Sequence, residues 1–128
     1  MFQAPSIKPS TMPTLIILNH QPYDGTDVTW NALRLARQLH SEGVEVRIFL
    51  MNDSVDLARD GITPPEGVED MVAMTKDLIA KGVPVKVCGT CQQRCGVFKG
   101  QGYYDGAQYS TMAECSQWVQ SSEKVLTF

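Results

Sequence analysis

"TLIILNHQPYDGTDVTWNALRLARQLHSEGVEVRIFLM", Thr14–Met51, sets two short apolar runs on either side of a helical pattern. The first run, Thr14–Leu18, is bounded by Pro13 and the polar loop "NHQPYDGTD". A continuous apolar run of that length suits a strand buried on both faces. From about Asp27, Val28, Ala32, Leu35, Ala36 and Leu39 recur at helical spacing, and Gly43 stands where a left-handed C-terminal residue fits. "VEVRIFLM", Val44–Met51, is the second strand. Strand, helix, strand in this order makes a parallel pair, because only a crossover can return the chain in the same direction.

The same alternation continues. "DSVDLARDG" predicts a short helix capped by Asp53 or Ser54. Both prolines of "ITPPEG" forbid a regular helix there. Val68, Met71, Val72, Leu78 and Ile79 mark the next helix, which stops at Gly82, and Val83–Val87 is the third strand. After an irregular stretch, a short strand is expected around Ala107–Tyr109. Thr111 and Glu114 then form a capping box for a helix lined by Met112, Cys115, Trp118 and Val119. "KVLTF" closes as a strand. Such a pattern predicts a single α/β domain over residues 14–128, an open and mainly parallel sheet covered on both faces. Residues 1–13, rich in Pro and Ser, are expected to form a flexible arm.

Composition narrows the function. A chain of 128 residues with 43% hydrophobic content suits one core. The net charge of −3 and the lack of any Lys/Arg run argue against direct nucleic-acid binding. No apolar run approaches the roughly 20 residues of a membrane span. The N-terminus lacks the apolar core of a secretory signal. A cytoplasmic location is therefore expected, where spare thiols stay reduced and clustered cysteines more often do chemistry than staple the fold.

"VKVCGTCQQRCG", Val85–Gly96, carries three of the four cysteines directly after the third strand. In parallel α/β sheets, ligands gather beyond the carboxyl ends of the strands. If "TCQQRC" begins a helical turn, Cys91 lies near its N-terminus, where unpaired N–H groups favour a thiolate. Reactive cysteines in such settings have pKa values from about 3.5 to 7.5, against roughly 8.5 when free. Arg94 is a nearby cation, and Cys88 with Cys91 forms a C-x-x-C pair in which one sulfur can attack and the other resolve. Two other uses stay open. One is a dithiol–disulfide oxidoreductase using Cys88 and Cys91, although thioredoxin-like enzymes pair the motif with a late cis-proline and the last proline here is Pro84. The other is a zinc or iron–sulfur module using Cys88, Cys91 and Cys95, although structural zinc wants four ligands. Only His20, His40 and Cys115 remain as strong donors, and Cys115 shares a helical face with Trp118 and reads as core.

Asn19, Tyr23, Asp24, Gly25 and Thr26 follow the first strand and either line the same pocket or merely turn the chain and cap the helix. Asn52 and Asp53 after the second strand share that ambiguity, and His20 reads as a solvated loop histidine. "GQGYYDG" lacks the dinucleotide glycine spacing. Tyr103, Tyr104 and Tyr109 read as packing or interface residues, as do Trp30 and Trp118.

"CGTC" after a third strand, preceded by "LNHQPYDGTD" and "RIFLMNDSVDLA" and followed by "GAQYSTMAECSQWVQSSEKVLTF", resembles the DsrE/DsrF-like family, and within it the small standalone YchN-like branch. The resemblance spans residues 14–128. It implies a three-layer α/β/α sandwich with a mainly parallel, about five-stranded sheet, and a homo-oligomer, trimer or hexamer. It also implies sulfur trafficking, with sulfane sulfur carried as a cysteine persulfide between donor and acceptor proteins or small persulfides and polysulfides, and no bound cofactor or metal. The relay cysteine of such proteins corresponds to Cys88, and the second motif cysteine to Cys91. Arg94-Cys95-Gly96 stands where the branch runs toward Ala-Arg-Gly, so Cys95 replaces an expected arginine that Arg94 next door can substitute.

Overall fold

A computed structural model describes residues 12–128. Five strands form one parallel sheet in the order β4-β3-β2-β1-β5: β1 Thr14–Leu18, β2 Val46–Leu50, β3 Val85–Cys88, β4 Ala107–Ser110 and β5 Lys124–Thr127. Between them run α1 Val28–Ser41, a 3-10 helix Asn52–Ala58, α2 Met71–Ala80, the single turn α3 Cys91–Arg94, and α4 Met112–Gln120. The α/β sandwich with a five-stranded parallel sheet is as expected. The flexible arm expected over residues 1–13 falls mostly outside the described residues; Pro13 itself is buried and its carbonyl accepts from the Glu123 N–H at 2.8 Å.

Topology follows from handedness. Stepping from β1 to β2 to β3 moves one way across the sheet, so right-handed crossovers put α1 and α2 on one face. The return from β4 at one edge to β5 at the other puts α4 on the opposite face. The two faces accordingly have separate cores. The larger unites Ile16, Leu18, Ile48, Leu50, Val85 and Val87 with Leu33 and Ala36 of α1 and Met74 and Leu78 of α2. The smaller holds Leu15, Ile17, Phe49, Cys88 and Cys115, closed by Trp118 edge-on to Phe49.

Element ends moved where hydrogen bonding overruled the apolar pattern. The second and third strands start two residues later than their β-branched runs, because Val44 and Val83 N–H groups close the preceding helices on Leu39 and Leu78 carbonyls. Val68 lies outside α2 and is exposed: Asp70 is the N-cap, its carboxylate accepting from Ala73 N–H at 3.0 Å. Thr111 caps α4 as expected, its hydroxyl accepting from Glu114 N–H. Of the apolar line expected on α4, only Cys115 is fully buried, while Met112 and Val119 face solvent.

Candidate functional site: a three-thiol cluster at the end of β3

β3 ends at Cys88, paired in register with Ser110 of β4, and the Gly89 N–H continues the ladder to the Ser110 carbonyl at 3.0 Å. Past this point the chain turns toward the 3-10 helix side, whereas the chain leaving β4 crosses the other face. Adjacent strands whose connections part in this way open the crevice that α/β proteins use for ligands. The three cysteines stand at that place.

Cys91 opens α3, as the sequence predicts, and its sulfur makes hydrogen-bonding contact with the thiols of both Cys88 and Cys95. Cys91 packs against both cores, joining Cys88 in the smaller and Cys95 in the larger. Cys88 is buried at 8% exposure, Cys91 and Cys95 are half-buried, and all four cysteines are free thiols. Cys115 lies beneath on α4 in the same small core as Cys88; burial first, then a charge on Cys88, raises its pKa. Among the described residues, no three His, Cys, Asp or Glu side chains converge to hold a metal ion. A Cys88, Cys91, Cys95 metal cage therefore has no support in this arrangement.

The protonation of Cys91 runs against the sequence-based expectation. Burial pushes its thiol up to about 12, reinforced by hydrogen bonding and charge from Cys88 and by Cys95, against a smaller opposing effect of the Asn52 backbone N–H. A single-turn helix gives little of the dipole stabilisation on which a low pKa rests, and two neighbouring sulfurs compete for the same negative charge. Cys91 therefore remains a thiol at neutral pH. Arg94 offers no relief: it is exposed and stands apart from the groups that act on Cys91. Because the folded chain keeps a proton that the unfolded chain releases near 9.0, stability is unaffected below that pH and falls as pH rises toward about 12. Burial raises Tyr103 and Tyr104 as well, adding loss of the same sign above 10.0. Circular-dichroism melts under reductant are expected to show a falling midpoint above pH 9, with Cys91→Ser flattening the onset of the fall.

Two neighbouring segments fix the cluster. Asn52 has a left-handed backbone (φ 51°), which asparagine tolerates better than most residues, and its N–H faces the Cys91 sulfur. Its side-chain amide donates to Asn19 Oδ1 at 3.0 Å, and Asn19 Nδ2 donates to the Phe128 carbonyl. Asn19 thus supports the site through Asn52. Asp53 accepts from the Gly96 N–H at 2.8 Å, and Ser54 accepts from the Met51 N–H while donating to the Leu18 carbonyl. Met51, rather than Asp53 or Ser54, is the N-cap of the 3-10 helix; Ser54 completes the cap from the third position by accepting the Met51 N–H, and Asp53 ties the cysteine loop. Tyr103 donates to the Cys88 carbonyl at 2.8 Å, and its ring packs against Tyr109.

The decisive support comes from residues that the sequence did not single out. Arg59 is fully buried and donates to the carbonyls of Gln92 (2.6 Å), Cys95 (2.8 Å) and Gln101 (3.0 Å), and to Asp56 Oδ1 (3.0 Å). The second oxygen of Asp56 accepts from the Val97 N–H at 2.7 Å. Gly96 sits over this pair with φ +86°, and a Cβ there would come within 2.5 Å of Arg59 Nη1. Only glycine meets both conditions. The sole hint in the sequence is Asp56 three residues before Arg59 in "VDLARDG".

Tyr23 does not join the thiols. Its hydroxyl donates to the Glu69 carbonyl and accepts from Met71 N–H at 2.9 Å, binding the first loop to the start of α2. The ring lines a separate cleft of about 250 Å³ with Pro22, Ile62, Pro65, Val97 and Phe98. Asp24 accepts from the Thr26 hydroxyl and N–H, which lower its pKa, and Gly25 turns the chain at φ +88°. His20 is exposed and 3.9 Å from Asp24. This loop is a turn, as its residue types allowed.

The sequence model of the DsrE/DsrF-like family matches residues 12–128. Protein YchN of Escherichia coli K12 is 38% identical over 116 residues, covering 89% of this chain and 97% of that protein. The uncharacterized protein MJ0989 of Methanocaldococcus jannaschii is 35% identical, covering 88% and 96%. The crystal structure of the E. coli ychN protein superposes with a TM-score of 0.79 at 37% identity, covering 91% of this chain and 99% of that one. A Bacteroides thetaiotaomicron protein of unknown function, BT1422, shares the fold at a TM-score of 0.57 and 18% identity. On this whole-chain similarity in sequence and in structure, the chain belongs to the DsrE/DsrF-like family.

Proposed function

We propose that the protein accepts and donates sulfane sulfur as a persulfide on Cys88, with Cys91 as its proton-bearing partner. The observation that carries this reading is the contact of Cys91 with the Cys88 sulfur at the carboxyl end of β3, in a chain of this family. Cys88 thiolate attacks the outer sulfur of a persulfide or polysulfide. The S–S bond breaks, the shortened donor leaves as a thiolate, and Cys88 becomes Cys–S–SH. An acceptor thiolate then takes the outer sulfur and Cys88 departs as a thiolate. The Cys91 thiol, which keeps its proton at neutral pH and lies against Cys88, is the donor to the sulfur on which that charge returns. Reduced protein treated with polysulfide is expected to gain sulfur by intact mass. No gain, with all four thiols reduced and alkylatable on unfolding, would sink the reading.

Its partners are sulfur donor and acceptor proteins or small polysulfides, met in a reducing compartment such as the cytoplasm; among the described residues no helix is long and apolar enough to cross a membrane. Self-association belongs to the same proposal. Met112 and Val119 of α4 and Val125 of β5 are 65%, 40% and 39% exposed, an apolar surface that a second copy can cover. Sedimentation equilibrium is expected to return a multiple of 14.2 kDa, and Met112→Lys to lower it.

A further inference from the structure

Cys91 touches two thiols, and the transfer step above uses only one of them. Cys95 closes the single turn of α3, its N–H donating to the Cys91 carbonyl at 2.9 Å. Residues one helical turn apart have Cα atoms about 6 Å apart, inside the roughly 4.4–6.8 Å that a disulfide spans. Arg59 holds the Cys95 carbonyl at 2.8 Å, so the residue is kept beside Cys91 and is half-buried, outward of the buried Cys88.

Resting on the sulfur-transfer reading, we propose that Cys95 completes reductive release of sulfur by displacing Cys88 from a Cys88–Cys91 disulfide, leaving a Cys91–Cys95 disulfide and a free Cys88. Cys91, deprotonated by solvent base, attacks the inner sulfur of the Cys88 persulfide. The S–S bond breaks, hydrosulfide leaves with the electron pair, and a Cys88–Cys91 disulfide forms. The sulfane sulfur is reduced and the two cysteines are oxidised, with no outside reagent. Cys95 thiolate then attacks Cys91, the sulfur it touches, and expels Cys88 as a thiolate. This exchange moves no net electrons. The site of attack has a physical cause: attack at Cys91 expels Cys88, whereas attack at the Cys88 sulfur would have to expel Cys91, whose anion the site disfavours. The product keeps the inner nucleophile free and presents the oxidised pair at the half-buried rim, where an external dithiol can reduce it.

Trypsin separates the alternatives, since it cuts after Lys86, Arg94 and Lys99. A Cys88–Cys91 bond stays inside the peptide of residues 87–94, whereas a Cys91–Cys95 bond joins that peptide to residues 95–99. Reduced full-length protein is treated in one arm with polysulfide and in another with limiting diamide, then quenched in acid, alkylated and mapped. In both arms the joined peptide is expected to dominate, with alkylated Cys88 located by fragmentation. In Cys95→Ser the joined peptide is lost and the internal bond accumulates. An internal Cys88–Cys91 bond with Cys95 alkylated in the wild type, in the diamide arm, overturns the role of Cys95. Failure of sulfur to add in the polysulfide arm instead overturns the transfer reading, while the diamide arm still reports which pair closes.

Discussion

Replacing Arg59 with alanine is expected to cost on the order of 3–5 kcal/mol of folding stability, the range found when one member of a buried ion pair is removed. Asp56 is fully buried and would be left without its cationic partner. The carbonyls of Gln92, Cys95 and Gln101 would lose their charged donor as well. Domains of this kind are stable by about 5–15 kcal/mol, so the variant would sit near the edge of folding. Urea denaturation is the measurement, and a change within about 0.5 kcal/mol, typical of a surface site, would contradict the assignment. A double-mutant cycle with Asp56→Asn is expected to show coupling above about 0.5 kcal/mol, because the two side chains share one network. Faster alkylation of Cys91 and Cys95 at urea concentrations below the transition would place the loosening in the cysteine loop.

Cys88→Ser is expected to abolish sulfur loading outright, because an alcohol at that position is not a nucleophile toward sulfane sulfur at neutral pH. The change keeps the side chain's size and leaves the buried position filled, so the fold survives as the control by circular dichroism. Cys91→Ser should behave differently. It loads sulfur, but without the resolving thiol it retains the persulfide and releases no hydrosulfide until an external thiol is added. Intact mass and a hydrosulfide assay on the two variants separate acceptance from release. Equal loading of Cys88→Ser and wild type would move the acceptor role to another thiol, and Cys91 is the one placed to take it.

Much of this was legible before any coordinates. Apolar runs such as Thr14–Leu18 and the helical spacing that precedes Gly43 report local burial, and strand–helix alternation leaves few topologies once crossovers must be right-handed. The placement of Cys88 at the carboxyl end of β3 follows from the same order. Thr111 named the start of α4 because a cap is a contact between residues three apart, although Glu114 gives its carboxylate to Ser110 and Lys86 instead of closing the box.

What escaped the sequence depends on residues far apart along it. Arg59 reads as a surface arginine until segments 33 to 42 positions away close over it and hand it their carbonyls. Tyr23 stands in the first loop, and its hydroxyl is held by Glu69 and Met71 at the start of α2. The pKa of Cys91 was expected to fall and instead rises, since the helix that would lower it is one turn long and the burial that raises it comes from two cores meeting there. The order of the residues by itself determined the sheet and the end of it at which the thiols gather, because periodicity and strand order are local properties. Which thiol keeps its proton, and which buried cation holds the loop, was decided only by tertiary structure, because desolvation and charge depend on what surrounds a group in space.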